Sequence, residues 1–440
     1  MKITRVIALC ATMFVSTLLP MISSQVAAQE IPSISGLLKH KTSYNYLNRR
    51  WQQQDLQLDL EANTALGYGD ATVIMRFMAD GQSRLNPNET PNTYGNLSQT
   101  RHNNSHGYLA LREAYWELSS DQIFWRLGKQ QIVWGEADGL KLLDVINPQS
   151  YREFILDDFD DSRIPLWMVN AEVSLDNDGT LQVLWIPDTS THELATKNSP
   201  FYLSSPLLVP QQTQGVPVTL VEPNAPKKTI KDSDFGLRYS QFIHGWDLSF
   251  NYLYHFVDEP VFSAHFDGST VSVVPEYKRS HLLGSSASNA FGDWTFRAEL
   301  AYETNRRHRT NTPLPGNLRA NQWSSVLGLD FQGWSDQFVS MQWFQSSVIG
   351  QHNDLVKSQK EDTLSLLWEM TFMNETLTLS WLQLHSLDNK DGLSRPKVRY
   401  NLLSNLDLIV SADRFYGDSN GIFGQFDQAD RISMGFEWGF

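Results

Sequence analysis

Between residues 135 and 165 the chain gathers an unusual density of groups able to carry charge. Glu136, Asp138, Asp144, Glu153, Asp157, Asp158, Asp160 and Asp161 stand against Lys141, Arg152 and Arg163, a net of −5. Interleaved with them are Leu140, Leu142, Leu143, Val145, Ile146, Phe154, Ile155 and Leu156, too many apolar groups for a freely solvated loop. Such a mixture suits ion-pair anchoring: the segment folds against a surface, and Arg152 and Arg163 meet acids, because ions removed from water need partners. It also suits a second reading, a hard-cation site in which Asp157, Asp158, Asp160 and Asp161 offer oxygens to Ca²⁺. The Asp-Asp-Phe-Asp-Asp run does not follow the EF-hand spacing, so anchoring is preferred and no cofactor is expected. A short helix is expected near 149–156.

A segment of that kind needs elements around it, and the rest of the chain reads as strands. The last residues, Arg431 to Phe440, place apolar groups at every even position and polar or small ones at every odd position, which is the two-residue period of a strand. Leu56, Leu58 and Leu60 alternate with Gln57, Asp59 and Glu61; Trp246, Leu248, Phe250, Tyr252 and Tyr254 alternate with Asp247, Ser249 and Asn251. The same holds for Trp294 to Tyr302 and Leu364 to Phe372. One face of such strands meets lipid and the other a wet interior, with aromatics such as Trp246, Tyr254, Trp294 and Tyr302 at the interfaces. Phe436, Trp438 and Phe440 are similar to the C-terminal insertion signal that the barrel-assembly machinery of bacterial outer membranes recognises.

Connections decide the topology. Short links at 67–70, 119–121, 176–179, 244–245, 291–293, 333–336, 374–375 and 404–405 alternate with longer ones near 81–107, 135–165, 187–232, 257–276, 305–321, 349–358, 388–395 and 417–427. Strict alternation of this kind predicts an all-β fold, a transmembrane antiparallel β-barrel of about 18 strands (16–20), with short turns on the periplasmic side. Strand parity lines its lumen with Arg76, Arg126, Arg238, Arg297, Glu299 and Glu369, beside Asp59, Glu61, Glu303, Asp330, Asp407, Arg431 and Glu437. An ion-selective pore shows rings of one sign. Mixed signs suit internal ion pairs holding a plug, so residues 135–165 are expected to turn inward and narrow the pore. Parity fails at 108–118, where Arg112 falls on one face and Glu113 and Glu117 on the other, which a β-bulge would resolve.

Three strings carry a family likeness: GKQQIVWGEADG, LDVINPQ and LDDFDDSRIPLWM, all within 126–168. They resemble the hallmark of a family of large proteobacterial outer-membrane proteins of unknown function. That resemblance implies an outer-membrane barrel, often encoded beside a lipoprotein-like protein and an RND-type inner-membrane pump that exports hydrophobes or lipids. It supplies neither a substrate nor a catalytic residue.

Composition narrows the remaining classes. With 35 Lys and Arg against 49 Asp and Glu, the net charge of −14 argues against nucleic acid as the partner. Mean hydropathy of −0.35 excludes a bundle of transmembrane helices. Lys2, Arg5, the apolar run Val6 to Leu19 and the small residues before Gln29 read as a signal peptide over 1–28, leaving one barrel domain over 29–440. The only cysteine, Cys10, leaves with that peptide. The link 187–232 holds seven of the 18 prolines, so irregular chain serving as a lid or partner surface is expected there. Arg306-Arg307-His308-Arg309, placed in an outer loop, suits lipopolysaccharide phosphates. His102 and His106 have no metal-site geometry. Gly417-Asp418-Ser419-Asn420 resembles a lipase nucleophile motif but gives Ser419 no base, and no other catalytic motif occurs, so no enzyme is expected. The preferred function is an outer-membrane channel or transporter for a hydrophobic or amphiphilic small molecule or lipid, as the outer part of a trans-envelope export system. The competing one is a scaffold or receptor that presents its long loops to a lipoprotein or other partner.

Overall fold

A computed structural model of the chain describes residues 32–84, 93–99, 101–104, 106–137, 140–176, 178–211, 218–221, 223 and 225–440. The expected signal peptide and Asp138 lie outside these residues. The principal sheet contains, in chain order, β1 (Ser33–Asn45), β2 (Arg50–Leu66), β3 (Gly69–Asp80), β4 (Gly107–Ser119), β5 (Ile123–Gln130), β6 (Leu166–Ser174), β7 (Gly179–Ile186), β8 (Asp234–Ile243) and β9 (Trp246–Phe256). It continues with β10 (Arg279–Phe291), β11 (Trp294–Arg309), β12 (Asn317–Phe331), β13 (Gln337–Val348), β14 (Lys360–Phe372), β15 (Leu377–Ser386), β16 (Asp391–Leu403), β17 (Leu406–Tyr416) and β18 (Arg431–Gly439). Each strand pairs antiparallel with the next, and β18 pairs back onto β1 from Leu37↔Gly439 to Tyr44↔Ile432. Eighteen strands, among the described residues, thus close a barrel with no free edge.

Its hydrophobicity is inverted, as the two-residue period requires. On β2, Leu56 and Leu60 are each 39% exposed on the outer face, whereas Gln53 and Asp55 point inward and are 1% and 4% exposed. The outer face of β18 carries Ile432, Met434, Phe436, Trp438 and Phe440, and its inner face carries Arg431 and Ser433. At the short-turn end, Trp246 packs edge-on against Phe291 at 5.9 Å and Trp294 lies 4.5 Å from Phe331, so the aromatics expected at an interface form contacts with one another.

Several details correct the sequence reading. β1 is absent from it, because it opens on small and polar residues (Ser33, Ser35, Gly36), and the loop expected at Arg49-Arg50 is a four-residue turn, Tyr46–Arg49, with Arg50 already in β2. The stretch 305–321 is mostly strand, joined by residues 310–316, so Arg306 to Arg309 belong to β11 and not to a loop. Arg306 there pairs with Glu259 and Glu303, and Arg309 donates to the carbonyls of Pro206 and Val209, which removes both from any outward-facing basic patch. No helix forms at 149–156. Ser150–Tyr151 instead pairs in parallel with Glu193–Leu194, and a single helical turn follows at Phe159–Ser162. The bulge in β4 is present: Ile74 faces Glu113 while Met75 faces Leu111, which skips Arg112 and turns both Arg112 and Glu113 inward.

Candidate functional site

Between β5 and β6 lies a long connection whose described residues, 131–137 and 140–165, contact the wall on two sides. Its first part packs against the wall through apolar groups. Ile132, Trp134, Leu143 and Ile146 form one buried cluster with the inward-facing Leu184, Leu253, Leu282 and Ala301 of β7, β9, β10 and β11. Trp134 is 1% exposed, and its indole N–H donates to Gln182 Oε1 at 2.7 Å. At the same side, the carboxylate of Glu299 on β11 accepts the backbone N–H groups of Glu136, Ala137 (2.9 Å) and Leu143 (3.1 Å). Arg297 donates to the carbonyl of Glu136 at 2.6 Å and pairs with Asp330 at 2.7 Å, and Arg238 donates to the carbonyl of Val133.

The second part of the loop is held on the opposite wall by two ionic networks. In one, Asp161 accepts from Arg76 at 2.7 Å and from Lys39 at 2.6 Å; Arg76 also grips Asp59, and Lys39 leads on to Glu437, Arg399 and Asp407. In the other, Glu153, 1% exposed, accepts from Lys41 (2.8 Å), Arg431 (2.8 Å) and Gln53 (2.6 Å). Arg431 is fully buried and shares its charge with Asp413, and Arg395 joins Asp413 to the carbonyl of Leu156. Arg152 lies 3.9 Å from Asp55, and Arg112 donates to the carbonyl of Asp160. Within the loop, Arg163 pairs with Asp144 (2.9 Å) and Asp160 (2.5 Å).

These pairings settle what the acids do. Asp157, Asp158, Asp160 and Asp161 face Lys41, Lys397, Arg163 and the Lys39–Arg76 pair respectively, so their oxygens diverge toward different cations. The Ca²⁺ reading is thereby corrected: among the described residues no group of acids or histidines is arranged to hold a metal ion. Of the expected wall residues, Arg76, Arg238, Arg297 and Glu299 touch the loop. Arg126 instead pairs with Glu117 at 2.6 Å on the neighbouring strand. Glu369 lies half-buried on β14. Lys39 and Lys41 were missed because their strand was missed; once β1 is placed, their alternation points both inward. Ser419 is exposed at the tip of the loop after β17.

At the long-loop end two further loops pack on each other. Phe201 of the Pro-rich link is fully buried among Phe154, Leu384, Leu393, Phe415, Phe423 and Phe426, and Ser204 and Ser205 donate their N–H groups to Gln425. His192 accepts the N–H of Gln149 at 2.8 Å, fastening that link to the inward loop.

Burial opposes ionisation of Glu153 and Asp161, yet the cations around each outweigh it and hold both carboxyls well below the usual range. Burial, with Glu153 close by, instead lifts Asp157 to about 6. The signs follow from linkage. Glu153 and Asp161 favour the docked loop above their unfolded values near pH 4 and lose that contribution as pH falls through their depressed ones. Asp157 contributes below about pH 4, and its contribution fades as pH rises toward about 6. Acidification below about pH 4, toward pH 3, is therefore expected to loosen the loop, since there Asp157 has no more to contribute and the other two carboxyls lose theirs. Reconstituted barrels should show rising mean conductance over that range, and the double variant Glu153→Gln, Asp161→Asn should be open throughout. A conductance that stays flat down to pH 3 in the unaltered protein would refute this.

A closed antiparallel barrel of eighteen strands is a fold that this chain shares with solved outer-membrane proteins. The chain superposes on OccK2 (OpdF) of Pseudomonas aeruginosa in complex with glucuronate with a TM-score of 0.52 at 12% identity, over 94% of this chain and 98% of that one. Similar values hold for a BenF-like porin from Pseudomonas fluorescens Pf-5 (TM-score 0.51, 11% identity, 94% and 99% covered) and for P. aeruginosa OpdK with vanillate (0.51, 11%, 93% and 99%). At such identities the likeness is one of fold. By sequence, the chain belongs to the family described as "Protein of unknown function (DUF1302)", which matches residues 33–436. No curated protein sequence matches it.

Proposed function

We propose that this protein is a channel of a Gram-negative outer membrane, and that residues 131–165 are a plug that narrows its bore. The observation that carries the reading is the two-sided anchorage of one loop. Glu299 and the apolar cluster hold it to β7–β11, and Glu153 and Asp161 hold it to β1–β3 and β18. A segment serving only to fill the barrel has no need of so many buried charges, which cost desolvation and contribute little net stability over apolar packing. Reversible pairings between fixed wall and movable loop are what a gate requires.

The solute we infer is a hydrophobic or amphiphilic small molecule or lipid, delivered outward by an export system with an RND-type pump and a periplasmic or lipoprotein component. Support comes from the half-buried Leu140, Leu142, Ile155 and Phe159, apolar side chains with which the loop lines one side of a cavity whose wall side carries hydroxyl groups. Phe436, Trp438 and Phe440 on the outer face of β18 would be read by the barrel-assembly machinery, and lipopolysaccharide would surround the rim. A scaffold or receptor displaying 195–220 is less well supported, because Phe201 is buried and the chain beside it is bonded down.

Deleting 149–162 is the direct test. The shortened barrel, still shifting in gel mobility on heating, should show single-channel conductance in planar bilayers several-fold above that of the full chain. An unchanged conductance would remove the plug from the mechanism.

A further inference from the structure

The lumen is divided unequally by the loop. Toward β1–β3 and β16–β18 it is sewn to the wall by the ionic networks above. Toward β14 and β15, among the described residues, it makes no hydrogen bond or ion pair, and it leaves a cavity of about 310 Å³. That volume falls at the lower end of small-molecule sites, roughly 300–1,000 Å³. The two sides of the cavity differ in chemistry. The loop contributes Leu140, Leu142, Ile155 and Phe159, while the wall contributes Ser324, Ser346, Thr363 and Ser386 with one inward aromatic, Phe344. Its charged lining is Lys141, Asp157 and Glu361. The ammonium of Lys141 is already engaged by Gln149 (2.5 Å), Ser162 (3.3 Å) and Asp144 (3.4 Å), and it sits 4.6 Å from the centre of the Phe159 ring. An incoming anion therefore meets two carboxyl groups, Asp157 with Lys41 at 3.9 Å and Glu361 with Lys357 at 3.6 Å, and, on the loop, a cation whose donors are spent. Ser346 and Glu361 also line a second cavity of about 220 Å³ beside Leu207, Leu208 and Arg306, so the first opens toward the loops at the mouth.

The geometry points to a binding station in this cavity for an uncharged or cationic amphiphile, its apolar part on the loop and its polar head on the hydroxyl-lined wall, with anionic amphiphiles disfavoured. The inference rests on the channel reading and sharpens it, naming the side of the lumen that solute follows and the charge it tolerates. Apolar side chains left facing a wet space are stabilised when a ligand covers them. Like-charge opposition excludes the wrong head group.

The test uses the full-length barrel in two settings, planar bilayers and lipid nanodiscs, with octyltrimethylammonium, octanol and octanoate as probes. Octyltrimethylammonium and octanol should interrupt single-channel current and bind by calorimetry, each about tenfold more tightly than octanoate. Ile155→Asn and, independently, Phe344→Ser should each weaken the two binders by about tenfold. The pair Asp157→Asn, Glu361→Gln should bring octanoate level with them. Equal affinity for all three probes in the unaltered protein, or binding indifferent to both apolar substitutions, overturns the station. A barrel that binds the probes in nanodiscs as expected but carries no current would keep the station and sink the channel; one that conducts without discriminating among the probes does the reverse.

Discussion

Replacing Glu153 by Ala is expected to open the barrel. The carboxylate is the meeting point of Lys41, Arg431 and Gln53, and it is 1% exposed. Its loss leaves the fully buried Arg431 with Asp413 as its one remaining anion, beside the amide oxygen of Gln53, inside a site built for two anions. Breaking a buried pair from one side costs about 3–5 kcal/mol, because an uncompensated charge remains. Release of the loop lets water reach Arg431, so that cost is relieved by undocking and the equilibrium moves toward the open form by about a hundredfold or more. Conductance of Glu153→Ala should approach that of the 149–162 deletion, and Arg152 and Arg163 should become cleavable by trypsin in intact barrels. Lys41→Ala should do much less: its side chain is 32% exposed, and water replaces what it loses. Full protection of both arginines in Glu153→Ala would show that this latch does not hold the loop.

Much of this was legible before any coordinates, and the reasons it was legible are local. A strand with one dry outer face and one wet inner face must alternate, so β2, β9, β11 and β14 announce themselves in sequence. A barrel must alternate tight and long connections, which fixes the count once most turns are seen. Arg112 and Glu113 broke the alternation, and the bulge that resolves them is a feature that only a parity conflict can reveal. The loop's cargo of acids and aliphatics likewise pointed inward, since neither set alone explains the other.

Partners across the lumen left no such trace. Lys39 and Asp161 lie 122 positions apart, and Arg431 and Glu153 lie 278 apart; only closure of β18 onto β1 brings these charges to one side of the bore. No spacing rule joins residues whose proximity is made by the ring as a whole. Ser150–Tyr151 illustrates the same limit. Its sequence is compatible with a helix, and the parallel pairing with Glu193–Leu194 arises because the Pro-rich link folds back to meet it. The Arg306 to Arg309 run was misplaced for a different reason. Polar residues at the rim of a long strand look like a loop, although β11 and β12 carry their ladder beyond Glu303 to Arg309↔Asn317.

Glu299 is the anchor on the other wall, and its removal should produce a different phenotype. Its oxygens accept three backbone N–H groups from residues 136–143, while Arg297 beside it takes the carbonyl of Glu136. In Glu299→Ala those three amides lose their acceptor, at about 1–3 kcal/mol for each one left buried. Glu299→Gln keeps one acceptor oxygen but turns an amide N–H₂ toward the remaining donor, so it should fall between Ala and the unaltered chain. Because Trp134 and Leu143 still pack against β7, β9 and β10, this part of the loop should detach only transiently, giving rapid flicker at nearly unchanged mean conductance. The combination with Glu153→Ala then decides whether the loop moves as one body. Each anchor lowers the entropic cost of forming the other if the segment between them is stiff, so each single variant already forfeits that gain and the double variant should open less than the two single effects combined, with a coupling of about 0.5–3 kcal/mol, the range for residues sharing one network. Strict additivity would mean that the two halves of the loop dock independently, and that a solute need displace only the half it meets.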